Sequence, residues 1–482
     1  MAQTRITRRE LLRRALASAS LAIASQPEAS SGAKSFYLAA GNSPGSEDVS
    51  GAFQVALPRQ VLPLPEGVLE YKTAPGFKLR GIKGLTWIPS QYLAEIPVMA
   101  RYKMNFLMNC YTSLWNLEMH GTWGRMPHGE GANQWQKPLP AQERRAYERV
   151  VHECSRHGIT FCFSMNPILA AAKPFNYERP QDLELLWQHY AWMQGLGVKW
   201  FNISLDDIRQ GINASAQANV TNEVLRRLRS KVPDAQMIFT PTWYAGTGDS
   251  GTETAAKLGS GDTPGVRYLK ELGEKLHRDI YLYWTGPEVC SLNITREDAE
   301  KYQRLSNHRL LIWDNYPCND QHPTLQLGPL MGRGPDLATA VEGYISNPLS
   351  PQDEANRIPM LTIADYLWNP KAYDPARSIG QSVAHLGRTP GQRLALKGLV
   401  ELYPGRLVAG SRSTAWNSLR EGFRMLLDKG SQQAAKGLVA RAESVSRSMA
   451  SEFPDRFLLA QKTLDADISG IRAEYSKKYS SS

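Results

Sequence analysis

Eight short apolar or β-branched runs alternate with amphipathic, helix-like segments between residues 79 and 375. The runs lie at residues 79–84, 104–112, 159–167, 200–208, 237–244, 280–287, 309–317 and 343–349. Strands that alternate with helices predict a parallel sheet, because a parallel neighbour needs a crossover connection. Eight such units are the number that closes a (β/α)8 barrel. The alternation therefore restricts the chain to an α/β fold.

A doubly wound open sheet is the alternative α/β fold. That fold binds its ligand at one switch point, often on a G-x-G-x-x-G turn after the first strand. No such turn follows residues 79–84, and polar residues end nearly all eight runs. Residues 377–478 lack strand-like runs and carry amphipathic repeats. We therefore predict a (β/α)8 TIM barrel with a C-terminal helical appendage.

The same pattern divides the chain into four segments. Residues 76–376 are predicted to form the barrel, and residues 377–482 the helical region. Residues 25–75 are rich in Ser, Gly and Pro, which predicts a linker or an extended N-terminal arm. Residues 1–24 are basic and then apolar, and they are predicted to be a separate targeting segment.

The first 24 residues resemble a twin-arginine export signal. Arg8-Arg9 precedes a mostly apolar stretch at 15–24, which is too short to span a bilayer, and Ala22-Ile23-Ala24 offers a small-residue cleavage site. The alternative is a basic amphipathic helix of the mature protein. The order of basic, apolar and small residues favours export, so we expect a periplasmic or secreted protein. No later segment reaches the roughly 18 apolar residues of a membrane span.

Charge and cysteine usage argue against two classes of site. The net charge is +10, but a net +4 of it lies in the first 14 residues, and the remainder contains no dense basic run. We therefore expect no nucleic-acid partner. The five cysteines are widely spaced, odd in number and outside any C-x-x-C pattern, so we interpret them as small core residues and predict no metal site.

Two adjacent carboxylates, Asp206 and Asp207, end the fourth apolar run. Burial and like charge both disfavour the ionised form and raise carboxyl pKa values, so such a pair lowers the stability of the fold. Chains usually keep one only where it caps a helix, binds a cation or takes part in a reaction. Neighbouring residues on a regular strand point to opposite faces, and the two acids can share a pocket only if the strand ends or bulges there. In that case one member can stay protonated as a general acid. The alternative is a helix N-cap beside a surface acid.

Polar and aromatic residues end the other runs as well. They are Tyr244, Thr285, Trp313, Asp314, Asn315, Asn319, Asp320 and Asn347. In a barrel enzyme the site lies where the strands finish. Acids, amides and aromatic faces are what a sugar site needs. This set contains no Lys or Arg for phosphate and no three histidines for zinc.

Six motifs together resemble glycoside hydrolase family 84. They are SLDDI (204–208), YWTGPEV (283–289), IWDNYPCND (312–320), LGPLMGR (327–333), SNPLSPQDEANRIPMLTIADYLWNP (346–370) and YDP (373–375). The resemblance covers about residues 78–376 and is dense from residue 200 onward. The family contains bacterial β-N-acetylglucosaminidases and eukaryotic O-GlcNAcases. It implies a retaining β-N-acetylhexosaminidase without cofactor or metal, acting on an N-acetylhexosamine-containing glycan or glycoconjugate.

The resemblance also implies a mechanism in which the 2-acetamido oxygen of the sugar attacks the anomeric carbon and forms an oxazoline. Asp206 then resembles the residue that orients the acetamido N–H, and Asp207 the general acid and base. The remaining implied site residues bind the sugar. Tyr244 hydrogen-bonds near the acetamido group, Thr285, Val289 and Trp313 line its pocket, Asn315, Asp320 and Asn347 hold ring hydroxyls, and Gly81 is the glycine after the first strand.

The chain departs from the family pattern after the first two strands. Residues 83–87 read KGLTW where members read EGFYG, and Thr112 stands where members carry the lysine of YAPKDD. No lysine replaces it nearby in the sequence. Two alternatives therefore stay open: a non-catalytic or weakly catalytic carbohydrate-binding protein on the same barrel, and a glycosidase shifted to another N-acetylated sugar. The Trp-rich stretch 115–135 is either a platform for further sugars or a packed loop.

Overall fold

The computed structural model describes residues 53–58, 74–115, 133–246, 263–320, 323–412 and 415–479. The predicted export signal at 1–24, most of the predicted arm at 25–75 and most of the Trp-rich stretch lie outside the described residues. Within the described ranges, no helix combines the length and apolar character that crossing a membrane requires.

Eight parallel strands close into a barrel in chain order, which confirms the predicted fold class. The strands are β1 (Leu79–Lys83), β2 (Phe106–Met108), β3 (Thr160–Met165), β4 (Trp200–Ser204), β5 (Gln236–Thr240), β6 (Tyr281–Trp284), β7 (Leu310–Pro317) and β8 (Gly343–Asn347). The barrel closes where β1 pairs with β8, with Gly81 opposite Ile345. All eight carboxyl ends therefore meet at one rim.

Helices cover the outside of the barrel. They are α1 (Pro89–Arg101), α2 (Ala141–Arg156), α3 (Pro180–Gly195), α4 (Ala214–Lys231), α5 (Pro264–Lys275), α6 (Arg296–Ser306) and α7 (Arg357–Trp368). Local sequence sets their starts: the side chains of Asn213, Thr263 and Thr295 accept backbone N–H groups of the first turns of α4, α5 and α6. Between β7 and β8 the described chain forms only a short 3-10 helix, Leu337–Thr339.

The barrel interior is filled, so the site can open only at the rim. Alternate strand residues such as Phe106, Tyr283, Leu311 and Ile345 form an inner apolar layer. The other strand face packs against the helices in a larger core. This is the packed interior expected of a (β/α)8 barrel rather than a pore.

Six further helices follow the barrel. They are α8 (Pro375–Leu386), α9 (Pro390–Leu402), α10 (Arg406–Gly410), α11 (Leu419–Asp428), α12 (Gln432–Glu452) and α13 (Leu458–Tyr479). They share a second apolar core, which also contains Phe53 and Val55. The Val55 N–H donates to Glu401 Oε1 at 2.8 Å. The predicted helical appendage is therefore present, while the segment boundaries at 24, 75 and 376 stay predictions.

The cysteines are free thiols, and four of the five are buried, as core residues are. The exception is Cys290, which is half-buried. Among the described residues, no cluster of three or more His, Cys, Asp or Glu side chains has the arrangement of a metal site.

One buried ion pair fixes the connection after β7. Arg333 donates to both carboxylate oxygens of Asp314, at 2.7 and 2.8 Å, and the Tyr344 hydroxyl donates to the same carboxylate. Both charged side chains are almost fully buried. Asp314, one of the polar residues at the predicted strand ends, therefore lies on the outer face of β7 and holds the structure together.

We expect Arg333→Met to lower the free energy of unfolding by about 3–5 kcal/mol, because it leaves a buried carboxylate without its partner. Urea unfolding followed by circular dichroism measures this. Arg296→Met is the matched control, because it removes an exposed pair with Glu300 and should cost less than about 1 kcal/mol. Equal losses in the two variants would contradict the assignment.

Candidate active site

The two adjacent acids occupy a turn directly after β4. The alternation of β4 directs Asn202 and Ser204 into the barrel, where both bond to Thr240 Oγ1, and Asp206 continues this inward series. Asp207 then takes a left-handed backbone conformation, with φ of 56°. This breaks the strand alternation, so the two side chains do not diverge to opposite faces.

Neither acid caps a helix. The next helix, α4, begins at Ala214 and is capped by the side chain of Asn213. Asp207 Oδ1 instead accepts a hydrogen bond from the Tyr244 hydroxyl at 2.9 Å. The N-cap alternative is therefore excluded for both residues, and Tyr244 is brought to the carboxylate pair.

Asp206 is buried, and only one of its two carboxylate oxygens accepts a hydrogen bond from a described residue. The Tyr111 hydroxyl, which follows β2, donates to its Oδ2. Its Oδ1 is buried and has no hydrogen-bond partner among the described residues. The Asn166 side chain, after β3, donates to the Asp206 backbone carbonyl at 3.3 Å. Asp206 is thus held in place while one of its carboxylate oxygens stays available to a ligand.

Burial raises the pKa of Asp206 from 3.8 to about 6, with the Lys83 ammonium opposing the shift and the Asp207 charge adding to it. Burial and the charges of the two acids raise the pKa values of Tyr111 and Tyr244 well above 10. Both phenols therefore remain hydrogen-bond donors near neutral pH. Asp206 gains a proton in weakly acidic solution, which makes it a pH-sensitive group of this site.

Sequence analysis missed Lys83, which the structure brings to the acids. Lys83 is the last residue of β1 and shares the inward face with Leu79 and Gly81. Its Nζ lies 3.5 Å from the ring centroid of Trp313 and 4.8 Å from that of Tyr111. No lysine lies near Thr112 in the sequence, and Lys83 reaches this part of the site from a different strand. Counting the alternation from Leu79 could have revealed it.

Trp313, Asn315 and Asn347 form the opposite wall, on β7 and β8. Asn347 Nδ2 donates to Asn315 Oδ1 at 3.0 Å, and Asn315 Nδ2 donates to the Val289 carbonyl at 2.7 Å. Trp313 Nε1 and Asn347 Oδ1 are buried without a hydrogen-bond partner in the described part of the chain. Buried polar atoms in native proteins are normally satisfied, so these atoms mark positions where a ligand would bind.

Thr285 and Val289 join Tyr244 at the ends of β5 and β6. The Thr285 N–H donates to the Tyr244 carbonyl at 2.9 Å, and Thr285 Oγ1 donates to the Glu288 carbonyl at 3.0 Å. Val289 packs in an apolar cluster with Tyr244 and Ala245. The structure therefore gathers these three predicted residues on one side of the carboxylates.

Asp320 lies beyond the end of β7, on a loop that the helical region supports. Cys318 Sγ donates to Asp320 Oδ1 at 3.2 Å. From α10, Arg406 donates to the Cys318 carbonyl and to Gln326 Oε1, both at 3.0 Å. Asp320 is half-buried, and Arg406 of the C-terminal helices holds the backbone of its loop.

Two sequence predictions differ from the structure in position. Gly81 lies within β1 rather than after it, and a Cβ there would meet Phe106 O at 1.8 Å, so its small size serves strand packing. The glycine that follows β1 is Gly84. Asn319, another predicted strand-end residue, exchanges hydrogen bonds with the Ser350 backbone and is structural.

Comparison with known proteins agrees with this geometry. Residues 130–401, more than half of the chain, match the family model described as beta-N-acetylglucosaminidase. The chain belongs to this family, glycoside hydrolase family 84.

Among relatives of this family 84 chain are the Protein O-GlcNAcases of Rattus norvegicus and Mus musculus, each 27% identical over 243 residues. The match covers 48% of this chain and 25% of each relative, so it spans a quarter of their length.

Two solved structures share the fold of this family 84 chain. A mutant of the Thermobaculum terrenum O-GlcNAc hydrolase has a TM-score of 0.60 at 22% identity, covering 83% of this chain and 84% of that one. The structure of CpGH84B has the same TM-score and identity, covering 85% of this chain and 71% of that one.

Proposed function

We propose that this chain is a retaining β-N-acetylhexosaminidase that removes terminal N-acetylglucosamine, or a closely related N-acetylated sugar, from a glycan or glycoconjugate. Family membership supports the class of reaction. The observation that carries the proposal is the environment of Asp206 and Asp207. Two adjacent carboxylates, one buried and one half-buried, lie at the end of β4 and have different hydrogen-bond partners, which suits two different tasks on one substrate.

The first step uses the acetamido group of the substrate as nucleophile. Its carbonyl oxygen attacks the anomeric carbon while the bond from that carbon to the leaving oxygen breaks. Asp207 donates its proton to the leaving oxygen. Asp206 Oδ1, which has no partner among the described residues, accepts the acetamido N–H and stabilises the positive charge that develops as the oxazolinium forms.

The second step returns the sugar with its original configuration. Asp207, now a carboxylate, takes a proton from water as the water oxygen attacks the anomeric carbon. The bond from the anomeric carbon to the oxazolinium oxygen breaks as the water oxygen adds, and the acetamido group, which has kept its N–H, is regenerated. Two displacements at one carbon give net retention. Tyr244, which donates to Asp207 Oδ1, keeps that carboxylate oriented in both steps.

The test is hydrolysis of an aryl β-N-acetylglucosaminide, with the N-acetylgalactosaminide and the plain glucoside in parallel. We expect cleavage of the first and not of the glucoside, since only the acetamido sugar carries the nucleophile. Proton NMR should show the β-anomer as the first product. Activity on the galactosaminide alone would instead indicate a shifted substrate. A folded protein that is inactive on all three would contradict the proposal and favour a carbohydrate-binding protein.

The fall of activity at low pH, the acidic limb of the pH profile, should follow the protonation of Asp206. Its carboxylate form accepts the acetamido N–H, and the protonated form does not, so activity falls as pH drops through its pKa of about 6. We expect kcat/KM to fall by about tenfold per pH unit below that value. The measurement is kcat/KM from pH 4.5 to 8, with circular dichroism as a control for folding. A flat profile between pH 7 and 5 would contradict the role of Asp206.

A further inference from the structure

Lys83 is a buried residue that brings its ammonium into the proposed sugar site. The residue is 2% exposed. Its Nζ lies 3.5 Å from the ring centroid of Trp313 and 4.8 Å from that of Tyr111. Within the described residues, Lys83 makes no hydrogen bond or salt bridge to a protein group. The ammonium of this buried residue thus rests against two aromatic rings, and none of its N–H donors is bonded to a residue that the structure describes.

An arrangement of this kind is costly for structure alone. Burying an ammonium forfeits its hydration, and such groups are normally paired and hydrogen-bonded. Cation–π contacts with Trp313 and Tyr111 recover part of that loss, but they do not use the N–H donors. Within the described part of the chain, an ammonium without an acceptor lies beside buried acceptors and donors that also lack partners, which fits a site that is completed by a ligand.

The neighbours of Lys83 define what that ligand must offer. Tyr111, which contacts the ammonium, donates to Asp206 Oδ2, while Asp206 Oδ1 has no partner among the described residues. Trp313, beneath the ammonium, has an Nε1 that likewise bonds to no described residue. A ligand filling this space needs oxygen atoms for Lys83 and Trp313 and a donor for Asp206. A sugar ring that carries hydroxyls beside an amide meets this description.

The side chain at the position of the missing family lysine does not compete for this role. Thr112 follows β2, and its Oγ1 lies 2.9 Å from Cys110 Sγ, within hydrogen-bond distance. Thr112 also lacks a charge. Of the residues that the structure describes, Lys83 is the cation whose Nζ reaches the Tyr111–Trp313–Asp206 cluster.

We propose that Lys83 is a substrate-binding residue of this chain: from the end of β1, its ammonium binds a hydroxyl oxygen of the N-acetylated sugar and acts as the counter-charge of Asp206. The proposal rests on the proposed function. Family members carry a lysine after the second strand, where this chain has Thr112, and the proposal places the cationic contact at the end of the first strand instead.

The experiment compares Lys83→Met with the wild-type protein and with Lys103→Met. Methionine keeps the length and removes the charge. Lys103 is a matched control because its Nζ lies over another indole, 4.7 Å from the ring centroid of Trp368, and it precedes β2 at the opposite end of the barrel. The readouts are kcat/KM for an aryl N-acetylglucosaminide across pH and thermal unfolding. Lys83→Gln is the second variant should the methionine protein fail to fold.

We expect Lys83→Met to lose about 10- to 100-fold in kcat/KM, the size of one hydrogen bond to a charged group. Its acidic limb should also move to higher pH. Among the described residues, the groups facing Asp206 are Lys83 from β1, Tyr111 after β2, Tyr244 after β5 and its neighbour Asp207, and Lys83 is the cation in this set. Lys103→Met should match the wild type in both. A folded Lys83→Met or Lys83→Gln protein with wild-type kcat/KM, or with an unmoved acidic limb, would overturn the proposal.

Failure of the proposed function is recognised separately, because the wild-type protein is assayed first. If it hydrolyses no N-acetylhexosaminide, isothermal titration with free N-acetylglucosamine decides the role of Lys83. Weaker binding by Lys83→Met than by Lys103→Met supports the contact, and equal binding by the two variants overturns it.

Discussion

Asp207→Asn should lose about 10²- to 10⁴-fold in kcat/KM on N-acetylglucosaminides with poor leaving groups, and much less on those with good ones. The reason is that a basic leaving oxygen needs a proton as the bond breaks, whereas an acidic phenol departs without one. Asparagine tolerates the left-handed backbone at this position and still offers an acceptor to Tyr244. The variant therefore removes the acid with little change in structure.

The measurement is kcat/KM for a series of aryl N-acetylglucosaminides whose phenols differ in acidity. The slope against phenol pKa should become steeper in the variant. Asp234→Asn is the matched control, because its carboxylate is exposed, pairs with Lys199 at 2.8 Å and precedes β5 at the opposite end of the barrel. If Asp207→Asn retained the wild-type slope, Asp207 would not be the general acid.

Asp206→Asn should lose about 10²- to 10³-fold in activity on every substrate in the same series, whatever its leaving group. Here the missing element is the negative charge that stabilises the acetamido nitrogen as the oxazolinium forms, and this charge is needed in the same step for every leaving group. Asparagine still offers Tyr111 an acceptor, so that its phenol is not left unsatisfied. Asp206→Ala would remove this contact as well and should be at least as damaging.

The two variants are most informative when read together. We expect the loss of kcat/KM to depend on the leaving group in Asp207→Asn and to be independent of it in Asp206→Asn. This result would identify Asp207 as the acid and Asp206 as the partner of the acetamido group. The reverse pattern would exchange the two roles. Unchanged turnover by Asp206→Asn and Asp206→Ala on an activated substrate would contradict acetamido participation altogether.

The barrel and the acid pair could be predicted because both depend on local pattern. Eight strand–helix repeats specify the closed sheet, and barrel geometry places every strand end at one rim, which brings Asp206 near Trp313 although they are far apart in sequence. The side-chain direction was harder to predict. Asp314 sits between Trp313 and Asn315 and points outward to Arg333, which strand alternation explains once the register is known.

Lys83 and Tyr111 were missed for a different reason. Lys83 falls inside an apolar run, and Tyr111 follows a strand of three residues, so neither resembles a polar strand end. Their contacts with Asp206 and Trp313 join β1, β2, β4 and β7, and such contacts between distant segments leave no local signal in one sequence.

The contact between Arg406 and the loop of Asp320 has a consequence for how this protein can change. Arg406 belongs to the helices beyond the barrel, yet it anchors the backbone two residues before Asp320. Substitutions in the packing of α9 and α10 can therefore shift the proposed sugar site through one guanidinium. If Asp320 binds the sugar as proposed, substrate specificity does not depend on the barrel alone, and exchanging the helical region between relatives would also change the support of this loop.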